Sequence, residues 1–355
     1  MDENVSEDLR VKITTKVDAA KDRLKSIVQE IKQLEFDFYP LPEVSKPRRI
    51  AALDGGGYSQ DFVGITIIPS RAAGAIFEKE KDPIWVEIND VEILTIEDDA
   101  KNYASLFRDL LEVQVAHELL KHNPEILFLD GTITNLAYKG IPQSIRFSFE
   151  EEKKIEEDAL GFKFYELFFN FIRQAYNLII KCIERDVLLV GVSKDSRASI
   201  IAKNILAKQK KKYLISDTSF INIVTNRQAG FSKPIKFAPK KSDVREKIWK
   251  AAQVFQENEL RSYYLTYFTL KEGALPIRVD TLIPQQDRLK EVQEAMVTYH
   301  DGNGFITPAY LTHGRAHMRQ DLGNRLVGYV AEEIFDDSPE IYNSFFAPRR
   351  RDIIQ

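Results

Sequence analysis

Apolar residues at Ile13, Val17, Ala20, Leu24, Ile27, Ile31 and Leu34 alternate four and three apart. That narrow heptad stripe predicts one long helix over residues 6–35, its seam facing either its own domain or another chain. Pro40, Pro42 and Pro47 end the helix in an extended connection. The period then changes. Residues 49–57 form an apolar strand, and strand-like stretches follow over 62–68, 72–77 and 84–94, which predicts an antiparallel meander. A helical pattern capped at Asn102 or Ser105 runs on to His122. Residues 126–129 are wholly apolar, as in a central parallel strand buried on both faces.

Residues 150–158 mix acidic and basic side chains and predict a solvated helix start, continued by an aromatic-rich helix over 162–185. Residues 187–192 form another apolar strand, followed by a polar turn and a helix over 198–209. The stretch 213–245 reads as irregular. Strands are expected over 263–270 and 275–279, and helices over 285–298 and 310–335. This order predicts an α/β fold with a mixed central sheet flanked by helices, plus the long N-terminal helix. The expected organisation is a helix and linker over 1–47, one domain with insertions over 48–335, and a tail over 336–355.

The composition, 44% hydrophobic and 29% charged, is that of a globular protein. The formal net charge of −4 means that nucleic acid would have to be held by local basic patches. Two lysine clusters offer themselves: Lys208, Lys210, Lys211 and Lys212, then Lys233, Lys236, Lys240 and Lys241 with Phe231 and Phe237 interleaved. Lysines hold phosphates without reading sequence, and aromatic rings stack unpaired bases. A solvated surface accounts for the same lysines. The lone Cys182 lies in an apolar helical stretch and reads as a buried structural thiol. The acidic start of the chain and the lack of an apolar run of about 18 residues predict no secretory signal, no membrane span and a cytoplasmic location. No Gly-x-x-x-x-Gly-Lys, Cys-x-x-Cys or His-Glu-x-x-His occurs, which disfavours ATP hydrolysis, structural zinc and zincin chemistry.

The chemistry concentrates in two Asp-Gly pairs. Asp54-Gly55 and Asp130-Gly131 each end an apolar run. Neighbouring parallel strands would set the two carboxylates side by side. The helix between them carries Glu112 and Glu118, and Glu112 lies beside the apolar positions Leu111, Val115, Ala116 and Leu119. Converging carboxylates can hold Mg²⁺ or Mn²⁺ for phosphodiester cleavage. One Asp-Gly alone reads as a turn. Two spaced around a Glu-bearing helix form the acidic layout of RNase H-like nucleases. Lys194, after the 187–192 strand, is a candidate point charge on a scissile phosphate or an ordinary solvated lysine. Asp217 is a candidate to orient Lys194, and Asp280 is a reserve acidic residue.

Ala52-Leu-Asp-Gly-Gly56, Glu112 eighteen positions before Asp130-Gly131, Gly191-Val-Ser-Lys194, Ser216-Asp217 and Arg278-Val-Asp280 resemble, in this order, the NurA nuclease family. The resemblance runs from about residue 48 to 330. It implies an RNase H-like core and a Mn²⁺-dependent nuclease, Mg²⁺ being the alternative ion. It also implies 5′-to-3′ polarity, a ring-like homodimer, and work in DNA end resection with the hexameric HerA translocase. Asp54, Glu112 and Asp130 are then the implied metal ligands. The family's histidine on its last helix corresponds to His313, three before Ala316, with His317 as rival. The family's Tyr-Pro element departs here to Phe305-Ile306. A different reading is a non-catalytic RNase H-like scaffold that works through its heptad helix; a third is a phosphatase on small substrates. The seam over 13–34 and the apolar stretch 342–346 are the candidate contact surfaces, and Arg349 to Arg351 read as a contact tail or as nothing.

Overall fold

The computed structural model describes residues 7–44, 47–95, 100–137, 139–141, 146, 162–194, 196–211, 213–239 and 242–346. The expected helix start over 150–158, Lys212, Lys240, Lys241 and the arginines 349–351 lie outside the described residues. The chain divides into two compact units. The larger comprises Pro42–Ser193, Pro234–Thr266 and Arg278–Gln355; the smaller comprises Met1–Leu41, Lys194–Lys233 and Tyr267–Ile277.

In the larger unit, β1 (Ile50–Gly57), β2 (Ile65–Phe77) and β3 (Ile84–Thr95) form an antiparallel meander. Helix α1 (Ala100–Leu120) crosses over to β4 (Ile126–Asp130), which runs parallel to β1. A short helix α2 (Ile133–Ala137) and the long α3 (Phe162–Glu184) lead to β5 (Leu188–Ser193), parallel to β4. Strand β6 (Ile277–Leu282) continues the sheet on that side, antiparallel to β5. The spatial order β3-β2-β1-β4-β5 with this mix of directions is the RNase H-like arrangement.

The apolar runs explain the order. β1 is buried from Ile50 to Asp54 and β4 from Ile126 to Leu129, so their apolar runs take the centre of the sheet. α1 and α3 pack together over it, with Leu106, Val115, Leu119, Phe168 and Phe171 in the main core. Each such side chain contributes about 1.5–3 kcal/mol on burial. Cys182 lies in this core, and burial pushes its thiol up to about 12.

Two strands were expected over 62–68 and 72–77, yet β2 is continuous through Pro69. Pro69 falls where β1 has ended and the Gln60–Asp61 strand has not begun. Its carbonyl faces that gap, accepting from Tyr58 N at 2.9 Å. The missing N–H faces the same way and breaks no ladder.

Helix α4 (Thr307–Ala316) packs on β1 and β2. Helices α5 (Gln320–Asp337) and α6 (Pro339–Phe345) follow. Val327 and Phe346 meet Ile65 and Ile67 in a second apolar cluster. Within the stretch 342–346, expected as a partner surface, Phe346 turns inward: it is 5% exposed and its ring lies 5.0 Å from that of Phe62.

The smaller unit holds the N-terminal helix, Glu7–Lys32. Its stripe is buried only at the end: Ile31 is 0% exposed, whereas Ile13, Val17 and Leu24 are 49%, 42% and 59% exposed. The stretch 213–245 is not irregular. It forms the helix Asp217–Val224, the strands Gly230–Ser232 and Ile235–Phe237, and the start of the helix Asp243–Ala252. Elements this short leave little periodicity to read. Among the described residues, no helix is long and apolar enough to cross a membrane.

Candidate metal centre

Parallel register pairs Leu53 of β1 with Leu129 of β4, so Asp54 and Asp130 emerge side by side. Asp54 is 4% exposed, and its Oδ1 accepts from Gly55 N at 2.7 Å. Helix α4 brings His313 Nδ1 to 2.6 Å from Asp54 Oδ2. A carboxylate can only accept, so Nδ1 is the donor in this contact. One ligand atom from each of Asp54, Asp130 and His313 lies within 4.8 Å of the others.

Glu112, on α1, packs over Gly55 beside this group but is not among the residues whose ligand atoms lie within 4.8 Å of one another. A Cβ on residue 55 would sit 2.3 Å from Glu112 Oε1, and one on residue 56 would sit 2.2 Å from the Ala316 carbonyl. The two glycines therefore let α1 and the end of α4 close on β1. Arg108 Nε lies 3.5 Å from Glu112 Oε1, and Arg108 Nη2 donates to Asp109 Oδ1 at 3.1 Å. Asp109 is buried and also holds the Lys139 ammonium, which reaches Ser105 Oγ at 3.3 Å. Burial pushes the Glu112 carboxyl well above its usual range; Asp109 adds to the rise, Arg108 opposes it, and Asp54 and Asp130 add further. Crowded oxygen donors with one imidazole suit a divalent cation such as Mn²⁺ or Mg²⁺.

The rival residues lie elsewhere. Glu118 is 45% exposed and pairs with Lys121 at 2.5 Å. His317 follows α4, its ring 6.0 Å from that of His313. Asp280 does not end its strand: it lies inside β6, fully buried, and pairs with Arg278 at 2.8 Å. Asp217 is taken up at the start of the helix Ile201–Lys208, accepting from Ile200 N at 3.0 Å, Ala202 N at 2.8 Å and the Tyr267 hydroxyl at 3.1 Å. Lys194 is the half-buried residue directly after β5 and belongs to the smaller unit. Lys211 pairs with Glu30 at 2.6 Å and Lys233 with Asp37 at 3.6 Å. Phe231 and Phe237, expected as stacking platforms, pack on protein rings: Phe231 on Phe268 at 5.6 Å and Phe237 on Tyr263 at 5.4 Å.

Asp109, Arg108 and Lys139 escaped the sequence reading. The first two sit three and four positions before Glu112, so helical spacing alone places them on its face. Lys139 carries no local signal.

The sequence matches the NurA domain over residues 48–311. The chain belongs to the NurA family. A NurA nuclease structure from Sulfolobus solfataricus is 18% identical, over 92% of this chain and 98% of that one, with a TM-score of 0.66. A structure of NurA with manganese is 12% identical, over 91% of this chain and 98% of that one, with a TM-score of 0.57. Another NurA structure is 13% identical, over 92% and 97%, with a TM-score of 0.60. These likenesses establish a shared fold. Among curated proteins, none matches the chain. Asp54, Glu112 and Asp130 fall inside the matched NurA domain, and His313 lies just beyond it. Contact with Asp54, rather than the domain match, brings His313 into the centre.

Proposed function

We propose that the chain is a metal-dependent deoxyribonuclease in which Asp54, Glu112, Asp130 and His313 hold Mn²⁺, with Mg²⁺ as the alternative ion. The observation that carries this reading is the convergence of Asp54, Asp130 and His313 within 4.8 Å, with Glu112 packed over Gly55 beside them. A divalent cation bound there supplies Lewis acidity to the phosphodiester and lowers the pKa of water. The protein groups do the rest. Asp54 is fixed by Gly55 N and by His313. His313 is 50% exposed and contacts Asp54 through Nδ1, so its Nε2 would either complete the metal's ligands or, in place of that, move a proton between water and the departing oxygen. Arg108 holds Glu112 in place. Lys194 and the lysine clusters grip the strand without reading its sequence.

The finer reading rests on family membership. The enzyme would act as a 5′-to-3′ exonuclease on single- and double-stranded DNA and as a single-strand endonuclease. It would work in end resection during double-strand break repair, as a cytoplasmic, nucleoid-associated homodimer with a HerA-type hexameric translocase. The exposed apolar stripe of the N-terminal helix supplies a surface suited to such partners.

The test is cleavage of end-labelled linear DNA with Mn²⁺, Mg²⁺ or EDTA by wild type, Asp54→Ala and Asp130→Ala. The expected result is metal-dependent degradation lost in both variants, with the product ladder giving polarity. A wild type that cuts nothing, with or without the translocase, would overturn the reading in favour of a non-catalytic scaffold.

A further inference from the structure

We propose that the buried Arg278–Asp280 pair, acting through Thr134, is a positioning device for Asp130. The inference rests on the reading of Asp130 as a metal ligand. Arg278 is 5% exposed and Asp280 is 0% exposed. Arg278 Nε donates to Asp280 Oδ1 at 2.8 Å and Nη2 donates to Oδ2 at 3.0 Å. The same Nη2 donates to Thr134 Oγ1 at 2.9 Å, and that hydroxyl donates to Asp280 Oδ2 at 3.4 Å. The Thr134 backbone also hydrogen-bonds the Asp280 carboxylate.

Thr134 lies four residues after Asp130, in the first turn of α2. The residues between are tethered to β5. Gly131 N donates to the Val192 carbonyl at 2.7 Å. Gly191 lets the turn lie against the strand, because a Cβ there would fall 2.7 Å from Ile133 N and 3.0 Å from the Gly131 carbonyl. Asp280 stands opposite Gly191 in the β5–β6 register. The turn leaving Asp130 is thus held by β5 along its backbone and by the β6 ion pair at its far end.

A buried ion pair is a poor source of net stability, because desolvation offsets its attraction and apolar replacements often do as well. This one spends a guanidinium nitrogen and a carboxylate oxygen on a hydroxyl four residues from a candidate ligand. Groups behind metal ligands change metal affinity by about 10–100-fold when removed. Thr134, Arg278 and Asp280 are positioning residues: they bond one another, and Tyr263 lies against Arg278.

The experiment is calorimetric titration of Mn²⁺ into the metal-free full-length chain, beside its thermal midpoint. Thr134→Val should weaken Mn²⁺ binding by about 10-fold, with the metal-free midpoint unchanged. Thr134→Ser should bind as wild type. The paired replacement Arg278→Met/Asp280→Leu should weaken binding to a similar extent; if it does not fold, Thr134→Val decides. Mn²⁺ binding by Thr134→Val equal to wild type would overturn the inference. Asp130→Ala separates the two readings: if it binds Mn²⁺ as wild type does, the metal assignment falls and this inference with it. If it loses Mn²⁺ while Thr134→Val does not, only the inference falls.

Discussion

Two groups of charged residues sit in the core of one sheet, and their neighbours differ in sign. On β6, Asp280 has Arg278 beside it in a two-pronged pair, and the guanidinium opposes the upward push of burial on its carboxyl. Beside the ends of β1 and β4, Glu112 has Arg108 opposing that push, but Asp109, Asp54 and Asp130 around it each add to it. A carboxylate matched by its own arginine fixes a shape. Carboxylates gathered against one another fit a site for a cation from outside the chain.

The comparison can be broken at either group. The largest effect is expected at the crowded one: Asp54→Ala should lower cleavage by roughly 10³-fold or more, the scale of losing a catalytic group. It should leave the metal-free fold intact, since like charge is removed. Circular dichroism beside the cleavage assay reads both. At the matched group the sign reverses. Arg278→Ala leaves Asp280 buried beside no guanidinium and should cost about 3–5 kcal/mol in urea unfolding.

A pH series sharpens the contrast. Burial and the neighbouring carboxylates hold the folded Glu112 carboxyl above the usual carboxylate range. A raised folded pKa gives stability that is present below the unfolded pKa and lost as pH rises through the folded one. Metal-free wild type should therefore lose stability relative to Glu112→Gln as pH climbs above about 4.5. Saturating Mn²⁺ should reverse that difference, because binding needs the ionised carboxylate. Thermal midpoints across pH 4–8 provide the check; a constant difference between the two proteins would show that Glu112 is not crowded. The smallest effect belongs to Glu118→Gln. It removes an exposed pair with Lys121, should cost less than about 1 kcal/mol and should leave cleavage as in wild type.

Much of the crowded group was legible in the sequence. The apolar runs before Asp54 and Asp130 marked central parallel strands, and parallel neighbours bring strand ends together. Helical spacing favoured Glu112 over Glu118, and the structure directs them to different surroundings. His313 entered through the family resemblance, since a histidine far along the chain has no local pattern. The matched group was not legible. Arg278 and Asp280 meet Thr134 only because β6 pairs with β5 in a register that no short segment encodes. Reading 213–245 as irregular failed because lysines mask strands of three residues. Of the apolar stretch 342–346, Phe346 packs within its own chain, because an apolar stretch does not say whether its partner is the same chain.

The contact between His313 and Asp54 spans 259 positions of the chain. During synthesis at about 5–20 residues per second, the histidine follows its carboxylate by roughly 13–50 s. Asp54, Glu112 and Asp130 therefore leave the ribosome well before the imidazole that bonds Asp54. A nascent chain carries the acidic set without the complete centre, so any DNA-cutting capacity that depends on His313 arises only after that residue has been added.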